Sequence, residues 1–159
     1  MQHLQLGHLG SASVLLAFGL ALYSTVVGAL GAHRRDARLQ TSARLATVAT
    51  FLVTATAIAV MEAALITNDF SVLYVAEHSR IASPLWVKIV TLWAALEGSI
   101  LLWGFLLTGY TAVLAFTAPL SPLRPWALAI LSSVQVFFLG VVAFLANPFR
   151  TLPNPPLDG

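Results

Sequence analysis

Four long apolar stretches, at residues 9–32, 45–66, 98–116 and 126–146, constrain this chain more than any other feature. Each is close to or above the ~20 residues with which an α-helix crosses the hydrocarbon core of a bilayer. They are too long, and alternate too little, to be strands. Only 9% of the 159 residues are charged and 58% are hydrophobic, whereas a soluble domain is charged at about a quarter of its positions. Polar groups cannot cover such a chain against water, so lipid must cover it. The expected fold class is all-α integral membrane, with four transmembrane helices and an amphipathic helix on the outer surface between spans two and three. The first stretch reads as a retained span rather than a signal peptide. Residues 1–8 contain no Lys or Arg, the apolar run is too long, and no clear small-residue cleavage site precedes the basic cluster that follows.

That cluster sets the orientation. Arg34, Arg35, Arg38 and Arg44 lie between the first two spans, and a short loop rich in Arg stays cytoplasmic. The proline-rich turn at 118–125, with Arg124, falls on the same side. The outer side then holds Arg80, Lys88 and Arg150, together with both chain ends. The cluster reads as a topology signal. The net charge of +2 is small, and nothing points to nucleic acid; the partner that composition implies is the lipid membrane. The chain contains no cysteine, which excludes disulfides, thiolate metal sites and a cysteine nucleophile. Four units follow: residues 1–66 with two spans and the basic loop, 67–97 as outer loop and surface helix, 98–146 with two spans, and 147–159 as an outer segment.

The outer connection at 67–97 is too long for a simple turn, and long connections of this kind often carry function. Its first half is mixed polar and aromatic, and the alternation of Ser71, Leu73 and Val75 with Val72, Tyr74 and Ala76 predicts an extended stretch. Ser83-Pro84 then reads as an N-cap followed by proline at the first helical position. From there Leu85, Trp86, Ile89, Leu92, Trp93 and Leu96 share one helical face, with Lys88, Thr91 and Ala95 opposite. This predicts a helix lying on the membrane, its tryptophans at headgroup level and Lys88 reaching toward water. The tryptophans serve either as an interfacial belt or as a platform for a planar hydrophobic ligand.

Within the spans, Glu62 lies about one turn inside the outer end of span two, where a carboxylate must reach water, pair with a base, or be protonated. Gln135, Ser132 and Ser133 predict interhelical hydrogen bonds, and Ser24 with Gly28 has the small-xxx-small spacing that lets helices approach closely. None of His3, His8, His33 and His78 falls inside a predicted span, and no pair has the spacing of axial haem ligands or a metal site. His78, on the outer loop, is the only one that draws attention. No nucleophile–base pair, phosphate loop or zinc signature is present.

The outer connection carries a resemblance. Asn68-Asp69-Phe70-Ser71-Val72, Tyr74-Val75-Ala76, Ser79, Pro84 and Lys88 are followed by Trp93 and then by Glu97-Gly98-Ser99, Leu101-Leu102-Trp103. This series resembles the N-terminal region of the CcmF-type cytochrome c haem lyases, whose pattern is close to D-F-S-V-x-Y-V-A and then W-G-x-H-E-G-S-L-L-L-W. Asp36-Ala37-Arg38 resembles the family's G-D-A-R. Asn147-Pro148-Phe149-Arg150-Thr151-Leu152-Pro153 resembles its S-N-P-F-x-R-x-L-P. The motifs thus run from about residue 36 to near the last residue. Leu96 stands where the family often has histidine, and Ala94 where it has glycine, so no role of that histidine carries over.

The resemblance implies a bacterial inner-membrane protein of c-type cytochrome maturation. In the complete lyase, a haem chaperone delivers haem at the outer, periplasmic face, where it is joined to the thiols of apocytochrome c, kept reduced by a thiol-reducing partner. The family's W-W-D segment, its outer histidines and the histidines of an intramembrane haem b belong to the several hundred residues that follow in the family. The chain is therefore expected to be an N-terminal fragment or split subunit that works with the remainder of the lyase. By itself it is not expected to be catalytic or to hold haem tightly. Trp86, Trp93 and Trp103, with the Glu97-Gly98-Ser99 corner, are the candidates for a haem-access wall, and Asp69, Phe70, Ser71 and Tyr74 form the motif loop. The alternatives are a purely structural scaffold or assembly subunit, and an unrelated small transporter or respiratory subunit; no convincing internal repeat supports the transporter.

Overall fold

The computed structural model describes residues 3–117 and 123–158. The four expected spans appear as long helices: α1 (His3–Arg34), α2 (Ala37–Thr67), α5 (Leu96–Thr117) and α6 (Arg124–Gly140). A π-helical turn, Val141–Leu145, prolongs α6. Two short helices, α3 (Leu73–His78) and α4 (Leu85–Val90), lie between α2 and α5, and a 3-10 turn at Thr91–Trp93 follows α4. The long apolar helices meet the length needed to cross a bilayer, and the protein is a multi-pass membrane protein. Most of the predicted inner turn, at 118–122, lies outside the described residues, as do residues 1, 2 and 159.

The basic loop is shorter than the sequence suggested, because α2 starts at Ala37 rather than near residue 45. Arg35 adopts a left-handed conformation with φ 54°. The Asp36 N–H donates to Gly31 O at 3.0 Å and the Arg35 N–H to Ala32 O at 3.4 Å, a paired closure of the α1 C-terminus. Asp36 then starts α2, its carboxylate accepting from the N–H groups of Arg38 and Leu39. One residue pair ends a helix and begins the next, so Arg38 and Arg44 are helical.

Helix α1 packs against α2 and α6, and α5 packs against the same two, giving a ring of four. Small residues line the contacts. Cβ atoms of Ala43 and Ala129 would lie 3.5 and 3.4 Å from a side chain at Gly28, so Gly28 does permit the close approach its spacing predicted. Ser24, four residues earlier, bonds Thr47 at 2.7 Å and accepts from Ser132 at 3.1 Å, joining three helices. Gln135 donates to Thr111 at 2.7 Å, tying α6 to α5. Ser133 departs from its expected interhelical role: it faces outward and returns its hydroxyl to Ile130 O. Thr47, Thr50 and Thr54 are fully buried and donate to carbonyls four residues back. A hydroxyl satisfied by its own helix packs like a small apolar group.

The predicted extended stretch is absent. Among the described residues one antiparallel bridge forms, between Val72 and Thr151, with Leu73 N–H donating to Arg150 O at 2.7 Å and Leu152 N–H to Ser71 O at 2.8 Å. With no further strand to pair among the described residues, the backbone satisfies itself locally: Val75 and Ala76 turn back to Val72 O, and residues 73–78 become helical.

The amphipathic helix is also broken. Pro84 sits at the N-cap position and the Ser83 side chain makes no cap; α4 lasts six residues before the 3-10 turn. Tyr74 supplies the reason. Its hydroxyl donates toward Thr91 O (2.8 Å) and Leu92 O (3.0 Å), while the Ala95 N–H donates to the same oxygen at 3.4 Å. In a continuous helix Ala95 N–H would bond Thr91 O directly; here the phenol stands between them, an inserted side chain of the kind that kinks helices. Lys88 is turned inward, not toward water. It is 7% exposed and its ammonium reaches Ile81 O at 3.5 Å.

Candidate functional site: the joint at one end of the bundle

Every motif noted in the outer connection meets at one end of the four-helix ring. At the end of α2, Asn68 takes a left-handed conformation (φ 54°) and Asp69 N–H returns to Ala64 O at 2.9 Å, closing the helix as Arg35 closes α1. The Asp69 carboxylate then accepts from Ser71 N–H (3.2 Å) and Ser71 Oγ (2.6 Å), an Asx-type turn. Asp69, Phe70, Ser71 and Tyr74 are all buried. The motif loop is thus an internal joint, with Asp69, Phe70 and Ser71 also bordering a small cleft closed by Pro155 and Pro156.

Residues 147–152 complete the joint. Asn147 Oδ1 accepts from Phe149 N–H at 2.9 Å, and Asn147 Nδ2 donates to Ser11 of α1 at 3.3 Å. Phe149 is 1% exposed and its ring occupies the space that a side chain at Gly10 would need. Thr151 and Phe149 O likewise crowd Gly7. Two glycines on α1 therefore form a flat seat for the segment after α6. The sequence reading passed over both; their three-residue spacing on one helical face was the available signal.

The tryptophan candidates are placed differently. Trp86 is 68% exposed and Trp93 58%, with Leu85, Ile89 and Leu96 also exposed along the same segment. Trp103 is exposed on α5. Ser99 anchors the corner by donating to Trp93 O at 3.0 Å. Gly98 is buried against Leu92 O and the Tyr74 hydroxyl, leaving no space for a side chain. Glu97 is half-buried and lines a small cleft with Tyr74, Glu77, Asn147 and Arg150. The candidates thus separate into exposed rings (Trp86, Trp93, Trp103) and a corner (Gly98, Ser99) that fixes the chain beneath Trp93.

His78 stacks on Tyr74, with ring centroids 4.7 Å apart. Its Nδ1 lies 3.0 Å from Tyr74 O; a carbonyl only accepts, so Nδ1 is the donor of this bond. His8 and His33 are exposed. Among the described residues no three His, Asp or Glu side chains gather as a metal site. Glu62 Oε2 is buried with no hydrogen-bond partner among them.

Burial raises the Tyr74 hydroxyl pKa from 10 to about 12, with the negative charge of Glu97 adding to the rise and the Ala95 N–H opposing it. A phenol protonated more tightly in the folded state contributes stability that is complete below pH 10 and is lost as pH rises through 12. The expected result is a loss of stability between pH 10 and 12 that Tyr74→Phe lacks. Unfolding midpoints of the two proteins across that range test it, and parallel slopes would refute it.

The fold and this joint define a class, a multi-span α-helical membrane module with a structured cap at one end. No family model matches the chain. Individual proteins do. It is 41% identical over 154 residues to the cytochrome c-type biogenesis protein CcmF of Escherichia coli, covering 95% of this chain and 24% of that one. It is 35% identical over 153 residues to the cytochrome c-type biogenesis protein CycK of Bradyrhizobium diazoefficiens, covering 94% and 23%. A solved cytochrome c haem lyase CcmF superposes with a TM-score of 0.86 at 42% identity, over 94% of this chain and 25% of that one. The chain spans about a quarter of the length of these relatives. It is a homologue of the CcmF-type haem lyases, matching their N-terminal part, which displaces the reading as an unrelated transporter or respiratory subunit.

Proposed function

We propose that this chain serves as the N-terminal membrane module of a cytochrome c haem lyase in the bacterial inner membrane, with the capped end of the bundle on the periplasmic side. In that protein, thiols of a C-x-x-C-H segment of apocytochrome c add across the vinyl groups of haem, forming thioethers. The haem chaperone, the apocytochrome and its thiol-reducing partner act together with the remainder of the lyase, which also supplies the ligands of the intramembrane haem b. The observation that carries a role for this module is the contrast at the cap. Asp69, Phe70, Ser71, Tyr74 and Gly98 are buried as a joint, while Trp86 and Trp93 are left exposed on the ledge this joint fixes. Haem is flat and apolar on its faces, and exposed indole rings at the membrane edge suit such a face. Trp103, Glu97 and Ser99 extend or shape the same wall.

Exposure makes the test clean. Trp93 is more than half exposed, so Trp93→Ala removes little internal packing. In the intact lyase, Trp93→Ala and Glu97→Gln are expected to lower the yield of holocytochrome several-fold while the protein accumulates normally. Yield and protein level falling together would reduce these residues to a folding role. That outcome would favour the second reading, a non-catalytic scaffold, which the burial of the motif loop supports.

A further inference from the structure

One hydroxyl on the spanning helices is out of place. Tyr110 is 75% exposed on α5, and its phenol makes no hydrogen bond among the described residues. It lies 14 residues after Leu96, about 21 Å along the helix, and about 10 Å short of Thr117. At that depth its surroundings are hydrocarbon, where an unpaired hydroxyl is unfavourable. Tyr110 borders a groove of about 520 Å3 between α2 and α5. Stacked Phe51 and Phe105 (centroids 5.6 Å apart) form one wall, and Phe116 and Val113 also line it.

Gly109 lines the groove beside Tyr110. A Cβ there would lie 3.4 Å from Phe51, an ordinary contact. Packing within this chain therefore does not require glycine, and glycine inside a helix is less favourable than alanine. Where the fold has no use for a missing side chain, what lies across the groove can use it: small residues let a second helix backbone approach. An acyl chain would fill the groove but could not satisfy the phenol. The relatives add the occupant. About three quarters of the Escherichia coli relative and of the solved lyase lies outside the matched region, and in a lyase that remainder must adjoin this module within the same membrane.

We propose that the α2–α5 groove seats a transmembrane helix from the remainder of the lyase, its backbone passing over Gly109 and a hydrogen-bonding side chain meeting Tyr110. This rests on the assignment of the chain as the N-terminal module of a lyase. The test places a photo-crosslinking residue at Val113, in the groove, and at Leu16, on the far helix α1, in the complete lyase in native membranes. Mass spectrometry is expected to find the Val113 probe joined to a peptide of the lyase outside the region matched by residues 1–159. Gly109→Leu should reduce that product at least tenfold and Tyr110→Phe several-fold, while Gly109→Ala leaves it. Only lipid adducts at Val113, or peptides from a second copy of this module or from an unrelated protein, would overturn the proposal. The two failures are distinguishable. If the lyase assignment is wrong, deleting the module leaves holocytochrome yield unchanged and neither probe labels lyase. If only the groove is wrong, the yield still depends on the module while Val113 labels something else.

Discussion

Replacing Gly98 with alanine is expected to unfold the capped end of this protein. The added methyl would collide with Leu92 O and the Tyr74 hydroxyl. Neither is free to retreat. Leu92 O is backbone, and the phenol is held by Thr91 O, Leu92 O and Ala95 N–H. Overpacking against fixed atoms costs about 3 kcal/mol at the upper end of its usual range, far more than the ~1 kcal/mol by which alanine favours a helix over glycine. Gly104, on the same helix, is the control. A Cβ there would lie 3.6 Å from Leu139 and 3.9 Å from Phe138, so Gly104→Ala should be neutral or slightly stabilising. Unfolding midpoints of the purified chain in detergent, titrated with dodecyl sulfate, compare the two. Equal behaviour of the two variants would refute this account of the corner.

Phe149→Ala is expected to have an effect of similar size through the opposite cause. Phe149 is among the largest fully buried side chains, lying against Gly10 and packed with Val14, Val72 and the other residues of the end core. Truncating a buried phenylalanine costs about 3–5 kcal/mol, through lost burial and the cavity left behind. The loss should be local first. The segment 147–152 would detach, and with it the Val72–Thr151 bridge and the bonds of Leu73 and Leu152 across it. Limited proteolysis should cut the variant after α6 well before the spans open, and retention of wild-type protection there would show that Phe149 does not hold the joint.

Much of this was legible in the chain itself. The four spans follow from apolar runs that no other environment can cover. Ser132 and Gln135 bond across helices because a polar group inside a span must find a partner. The motifs of the outer connection marked the region that the structure shows to be a joint, and they carried the resemblance to the haem lyases. The extended stretch and the straight surface helix were misread for one shared reason. Alternation and helical periodicity describe how a segment would lie on a flat interface, and this segment does not lie alone. Tyr74 intrudes into the helix that follows it, and the described residues after α6 supply a single bridge.

The sequence by itself determined that four stretches are long and apolar enough to cross a membrane, the core of each, and which family they resemble. Burial in lipid is a property of each stretch separately, so composition is enough to specify it. Only the tertiary structure decided that Asp69, Phe70, Ser71 and Tyr74 face inward, that Lys88 turns toward protein, and that Gly7, Gly10 and Gly98 are seats for other segments. Each of those depends on an atom contributed from far along the chain: Phe149 beside Gly10, Thr151 beside Gly7, Tyr74 beside Gly98. Close packing tolerates one arrangement of such neighbours, and local periodicity carries no record of which neighbours they are.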